Sequence, residues 1–300
     1  MRHTELSESD CAISAALGVV GDWWTLLVVR DVAGGVHRFD ALATELGVSR
    51  KILADRLRRL EEHDVLMRRQ YSGRPARYEY HLTDKGRGLL PVLIALQDWG
   101  TRQVLGDGTL SATSAPTSRE ARRVHDLVGQ RVGAEIRLAG ADGDGVDPVG
   151  PADWTVLYCF AGAAPPGSGF YPPGWGDIPG ATGCTVESTT FRDRHTDFVA
   201  AGVSVRGVST QRPDQLAAFA DYAGLPFQLL SDQELALATA LRLPTFRAGG
   251  SDRLKRLTLV IDADREIRDV LFPVTDPAGS VDEALTIVRD AARRAAVTRR

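Results

Sequence analysis

The stretch RFDALATELGVSRKILADRLRRLEEHDVL, residues 38–66, changes character at Gly47-Val48-Ser49 and divides there into two helices. Gly47 suits the left-handed backbone that ends the first helix, and Ser49 suits the cap of the second. On the second helix Ile52, Leu53, Leu57 and Leu60 recur at helical spacing. That pattern turns them toward a core and leaves Arg50, Lys51, Arg58 and Arg59 outside. A helix anchored on one side, with a basic and uncovered N-terminal part, matches the dimensions of a DNA major groove.

The next segment, VLMRRQYSGRPARYEYHLT (65–83), alternates around Ser72-Gly73-Arg74-Pro75 and predicts a β-hairpin. Arg68, Arg69, Arg74 and Arg77 lie on its strands or tip, where a wing meets phosphates or a minor groove. A basic helix or a basic hairpin alone reads equally well as solvated surface. Helix, turn, helix and wing in this order point to DNA. Local charge agrees, since nine Lys/Arg between Arg50 and Arg77 face four Asp/Glu, within a chain of net charge -3.

At 300 residues, 43% hydrophobic and 25% charged, the chain suits two globular domains rather than one core or a disordered polymer. The polar start MRHTELSESD resembles no signal peptide, and no apolar run approaches membrane-spanning length, so a cytoplasmic protein without membrane partners is expected. Cys11, Cys159 and Cys184 are too few and too scattered for a disulfide framework or a zinc site. His125, His195 and the other histidines show no ligand spacing, and no phosphate-cradling glycine motif follows a strand. Neither a metal nor a cofactor is expected.

Helical patterning runs from about residue 10 to 105 and gives way to GDGTLSATSAPTS (106–118), a Gly/Ser/Thr/Pro-rich stretch of linker composition. Beyond it, β-type runs at 154–160, 203–209, 257–261 and 267–272 alternate with helical stretches near 185–200, 213–223, 232–241 and 280–296. That alternation predicts an α/β domain around a central sheet. The expected division is a DNA-binding domain at 1–108, a linker at 109–125 and a second domain at 126–300. ADWTVLYCFAG (152–162) is a continuous apolar run, as for a strand buried on both faces. A Gly/Pro loop follows, then TVESTTFRDRHTDF as a helix. Cys184 thus falls at a loop-to-helix junction, where open N–H groups and the positive helix end favour the thiolate that attacks peroxides.

The first ninety or so residues resemble the HxlR-type winged helix-turn-helix regulators. The likeness is carried by Gly21-Asp22-Trp23-Trp24-Thr25-Leu26-Leu27, Arg38-Phe39, Leu57-Arg58-Arg59-Leu60-Glu61 and the run from Tyr78 to Gly86. It implies a homodimer on a palindromic double-stranded operator, read by Ser49, Arg50, Lys51, Arg58, Arg59, Arg74 and Arg77. Leu89, Leu90, Leu93, Leu96 and Trp99 form either a dimer seam or packing within one subunit. Cys11 stands where several redox-sensing relatives carry a reactive cysteine; the other reading is a small buried helix residue.

Residues 130–295 resemble peroxiredoxins of the bacterioferritin-comigratory-protein type, through GAEIRLAGADGDGVDP, WTVLYCFAG, GCTVESTTFRDRHTDF, GVSVRGVSTQRPDQLAAFADYAGLPFQLLSD and KRLTLVIDADREIRDVLFPV. The resemblance implies a thioredoxin-like fold, Cys184 as peroxidatic thiol and Arg256 as the arginine that polarises the peroxide. Glu187 holds a polar position on the same helical turn. Two residues depart from the family pattern. Ala181 replaces a threonine three residues before the cysteine, leaving Thr182 as the nearby hydroxyl, and Thr189 stands where many relatives place a resolving cysteine. Resolution of a sulfenic acid at Cys184 then falls to an external thiol such as thioredoxin, to Cys11, to Cys159, or to none.

The expected protein is multidomain, α+β then α/β, with an N-terminal winged helix-turn-helix and a C-terminal thioredoxin-like fold. Its expected function is a peroxide-responsive transcription regulator. The alternatives are a one-cysteine thiol peroxidase whose winged helix serves dimerisation or autoregulation, and a repressor with an inert redoxin domain.

Overall fold

Asp22 and Ser49 set the first helices by giving open backbone amides an acceptor. The computed structural model describes residues 11–298. After α1 (Ala12–Val20), the Asp22 carboxylate accepts from the amides of Trp24 at 3.0 Å and Thr25 at 3.3 Å and starts α2 (Trp23–Ala33). Helix α3 (Phe39–Leu46) stops at Gly47, whose φ of +60° is the left-handed conformation that favours glycine. Ser49 Oγ then accepts from the Ile52 amide at 3.4 Å and starts α4 (Arg50–Glu62). Antiparallel β1 (Leu66–Gly73) and β2 (Ala76–Leu82) form the hairpin, followed by the single turn α5 (Asp84–Arg87) and by α6 (Leu90–Trp99).

Chain contacts divide the molecule between Leu93 and Ile94. In the first unit Leu53, Leu57 and Leu60 of α4 are buried with Val28, Val29, Val32, Leu42, Val65 and Leu66. Ile52, expected in that core, is instead 39% exposed. Residues 53, 57 and 60 already make the i, i+4, i+7 stripe, and Ile52 sits one position off it.

The second unit is built on a sheet of order β11-β10-β5-β6-β7-β3-β4. Its strands are β3 (Leu138–Ala139), β4 (Gly145–Val146), β5 (Trp154–Cys159), β6 (Val203–Ser209), β7 (Leu229–Ser231), β10 (Leu257–Asp262) and β11 (Ile267–Leu271). Strands β5, β6 and β7 run parallel, while β10, β11, β3 and β4 join antiparallel to their neighbours. A separate hairpin, β8 (Thr245–Ala248) with β9 (Ser251–Leu254), turns at Gly249-Gly250.

Helices cover both faces of the sheet. Val156, Tyr158 and Phe160 lie in a core with α8 (Cys184–Asp193), α9 (His195–Ala200), α10 (Pro213–Ala223) and α12 (Gly279–Thr298). Leu157 and Cys159 face a second core with α7 (Arg119–His125) and α11 (Ala236–Ala240). Alternate residues of β5 therefore enter different cores, which is why its sequence is apolar throughout. The fold is thioredoxin-like. Residues 109–125, expected as a linker, are packed here: the Ala112 amide donates to the Pro179 carbonyl at 2.8 Å, and Ala121 and Val124 of α7 are fully buried. Among the described residues, no single helix is long and apolar enough to cross a membrane.

Candidate functional site

Strand β5 delivers the chain to a loop that ends at Gly183, whose φ of +103° few L side chains adopt. A Cβ at that position would also lie 2.7 Å from Pro277 Cγ, so close approach as well as conformation calls for glycine. Cys184 is the first residue of α8 and is 3% exposed. Leu257 of β10 pairs with Cys159 at the end of β5, and the preceding residue, Arg256, therefore arrives at the same end of the sheet.

The Cys184 and Arg256 side chains meet there. Arg256 Nη2 donates to Cys184 Sγ at 3.2 Å and to the Thr182 carbonyl at 2.8 Å. Nη1 donates to the Gly180 carbonyl at 3.4 Å, and Nε to Glu187 Oε2 at 3.0 Å. Burial works against the charge on Arg256, but Cys184 and Glu187 outweigh it and raise its pKa. Glu187 is completely buried, and its Oε1 has no hydrogen-bond partner. Burial pushes this carboxyl above the usual carboxylate range against the pull of Arg256. Tyr158, also fully buried, donates to Ser188 Oγ at 3.1 Å behind the helix.

Thr182 is exposed, and Arg256 meets its carbonyl rather than its hydroxyl. Ala181 is buried, and its carbonyl accepts from the Cys184 thiol at 3.8 Å. At the position of the absent resolving cysteine, Thr189 donates its hydroxyl to the Thr185 carbonyl at 2.9 Å. Cys159 lies in the core on the opposite face of the sheet from Cys184, and burial pushes its thiol well above the usual range. Cys11 caps α1 and is exposed, which corrects the reading of a buried helix residue. Hydrogen bonds, from the Ser14 backbone first, then its side chain and the Ile13 backbone, hold the Cys11 thiol below its usual value.

Sequence reasoning missed Arg253. Its guanidinium lies 4.8 Å from the ring centroids of both Phe170 and Trp175, and Nη1 donates to the Ala161 carbonyl at 3.2 Å. Burial lowers its pKa, while Cys184 and Tyr171 act in the opposite direction. The aromatic residues that hold it come from a Gly/Pro loop with no periodicity to read.

In the first unit the basic residues divide into two groups. Arg50 pairs with Asp40 and lies 4.8 Å from the Phe39 ring, while Lys51 is exposed beside it. Arg58 is exposed and pairs with Asp55 and Glu62, each at 2.7 Å. Arg74 and Arg77 are exposed at the hairpin tip. Arg59, expected to face outward, is half-buried and donates to the Gly18 carbonyl at the end of α1. It ties α4 to the end of α1. Ser49 uses its hydroxyl as the cap of α4.

A family model for HxlR-like helix-turn-helix proteins matches residues 19–106, and one for the AhpC/TSA family matches residues 178–270. A putative regulatory protein, MalR, of Fusobacterium mortiferum is 32% identical over 92 residues, which cover 30% of this chain and 87% of that protein. The chain belongs to the HxlR-like helix-turn-helix family. Its HxlR-like domain is also 44% identical over 89 residues to an uncharacterized HTH-type transcriptional regulator of Mycobacterium tuberculosis, covering 30% of this chain and 56% of that regulator's length. A putative peroxiredoxin of the same organism is 47% identical over 58 residues, 19% of this chain and 37% of that protein. Among solved structures, peroxidoxin BcpB from M. tuberculosis is 26% identical with a TM-score of 0.44, over 54% of this chain and 96% of its own. An HxlR-like domain is therefore fused to a peroxiredoxin-like AhpC/TSA domain.

Proposed function

We propose that this chain is a peroxide-responsive transcription regulator, acting in the cytoplasm as a homodimer on operator DNA. The reading is carried by one observation: the Arg256 guanidinium hydrogen-bonded to Cys184 Sγ at 3.2 Å, at the first residue of a helix. Such a bond strengthens as negative charge collects on the sulfur, and the open amides of the first turn act in the same sense. The thiolate attacks the terminal peroxide oxygen, the O–O bond breaks, and the departing oxygen takes a proton to leave as water or an alcohol. Sulfur is oxidised to the sulfenic acid while the peroxide is reduced.

Cys184 is 3% exposed in the first turn of α8, so further reaction of the oxidised sulfur with a thiol such as thioredoxin requires that turn to open. Opening then alters the half-site spacing offered by the dimer, to which two recognition helices one DNA turn apart are sensitive. A decisive switch needs a bias of about 5 kcal/mol between the two states. Ile13 and Leu17, exposed one turn apart on α1, give the HxlR-like domain an apolar surface for a second subunit.

The test is the intact mass of reduced protein after one equivalent of hydrogen peroxide, beside Cys184→Ser and Cys11→Ser. A fast gain of one oxygen that requires Cys184, or a loss of two hydrogens that requires both cysteines, is the expected result. An unmodified Cys184 in protein that still binds DNA would leave the AhpC/TSA domain a scaffold and defeat the proposal.

A further inference from the structure

A cavity of about 640 Å³ lies within the second unit, and Cys184 is not among its lining residues. Its cationic lining residues are Arg102, Arg119, Arg123 and Lys255. Lys255 is already engaged: its ammonium meets Glu120 at 2.7 Å, Ser114 Oγ at 3.3 Å and the Thr113 carbonyl at 3.3 Å. The arginines are different. The Arg102 side chain makes no hydrogen bond or ion pair among the described residues, and its Nε is shielded from solvent. Arg123 gives one nitrogen to the Arg242 carbonyl and leaves Nη2 shielded and without a hydrogen bond, the nearest Glu120 oxygen being 4.0 Å away.

A guanidinium N–H can only donate, and a shielded donor without an acceptor is costly. Thr113 Oγ1, another unpartnered buried atom, stands on the same wall. Burial pushes the neighbouring Asp98 carboxyl up, which weakens it as a compensating anion for Arg102. Leu105 and Leu110 also line the cavity and supply apolar surface. The missing group therefore needs paired anionic oxygens at one end, the shape a guanidinium binds best, and hydrocarbon at the other.

We propose that this cavity binds a small organic monocarboxylate, its carboxylate held by Arg102 and Arg123 and its hydrocarbon body laid against Leu105 and Leu110. The inference goes beyond the peroxide reading and is independent of it, because neither Cys184 nor Arg256 lines the cavity. Hydrated dianions such as phosphate are disfavoured by the apolar wall and by Glu120 and Asp107.

Thermal unfolding and calorimetric titration of the full chain with benzoate, octanoate, benzamide and inorganic phosphate test it. Benzoate or octanoate should raise Tm saturably, while neutral benzamide should not. Arg102→Ala, which removes a side chain bonded to nothing else, should weaken carboxylate binding by about tenfold, the scale of one lost charge-assisted hydrogen bond. No saturable effect of either carboxylate, undiminished binding by Arg102→Ala, or phosphate or benzamide binding as well as benzoate would each overturn the proposal. Arg123→Ala also loses the tie to the Arg242 carbonyl, so the Arg102 variant carries the decision. Loss of Cys184 reactivity would leave these outcomes untouched.

Discussion

At the scale of single residues, Arg256 does work that another cation cannot copy. One planar group reaches the Cys184 sulfur, the Glu187 carboxyl and the carbonyls of Gly180 and Thr182. Lysine keeps the charge but lacks the fork that satisfies these acceptors together. Arg256→Lys is therefore expected to slow Cys184 oxidation by about 10²-fold, the scale of one lost preorganised donor. Stopped-flow tryptophan fluorescence against peroxide concentration measures this, and an unchanged second-order rate would remove Arg256 from the chemistry. Cys184 and Arg256 were legible in the sequence because each belongs to a recognisable local run. Arg253 was not, since its position depends on rings from a loop whose path only the folded chain defines. Thr182 carries a hydroxyl one residue from the family position, but the folded chain leaves it exposed and presents its carbonyl to Arg256.

At the scale of elements, α4 is held by its buried leucines while Arg50 and Lys51 stay at its uncovered start. Replacing both by Ala should weaken DNA binding and lower the salt slope by about 2, since each lost phosphate contact removes close to one released counterion. Fluorescence anisotropy across a salt series checks it; an unchanged slope would mean that α4 is not the groove element. The long elements α3, α4, α10, β5, β6 and β10 were readable because their apolar residues repeat over several turns or fill a strand. The short strands β3, β4 and β7, of two or three residues, carry no period, and α7 is mostly charged, with Ala121 and Val124 its buried apolar residues. Asp232 shows what such short elements hide. It is 1% exposed and caps α11, accepting from the Leu237 and Ala238 amides at 3.0 and 2.8 Å, yet burial pushes its carboxyl up to about 7. An unfolded Asp titrates near 3.9, so between about pH 4 and 7 the native state binds the extra proton. Stability from this group is therefore lost as pH rises through that window, by roughly 2–3 kcal/mol between pH 5 and 8. Urea unfolding at the two pH values should show that fall in the parent chain and a flatter profile in Asp232→Asn; equal slopes would rule Asp232 out as the source.

At the scale of the whole molecule, an HxlR-like helix-turn-helix domain and a peroxiredoxin-like domain in one chain form a sensor only if DNA binding and thiol oxidation, as proposed, share a free energy. If oxidation of Cys184 changes operator affinity by some factor, operator binding must shift the equilibrium between reduced and oxidised protein by the same factor. Physical couplings of this kind usually amount to about 5- to 150-fold. The expected result is a difference within that range between reduced and peroxide-treated protein, measured by anisotropy at fixed salt on a duplex selected from a random pool by the reduced protein. Cys184→Ser should abolish the difference while retaining the affinity of the reduced parent. A difference that persists in Cys184→Ser but disappears in Cys11→Ser would move the sensing thiol to Cys11, which is exposed at the start of α1. Equal affinities in both redox states would mean that the fused domains act independently, with any peroxide chemistry at Cys184 serving removal rather than signalling. A reversal experiment guards against simple oxidative damage: treating the peroxide-oxidised protein with a dithiol, which removes the sulfenic oxygen as water and closes to its own disulfide, must restore the affinity of the reduced protein, because damage to the protein's other side chains is not reversed by the dithiol.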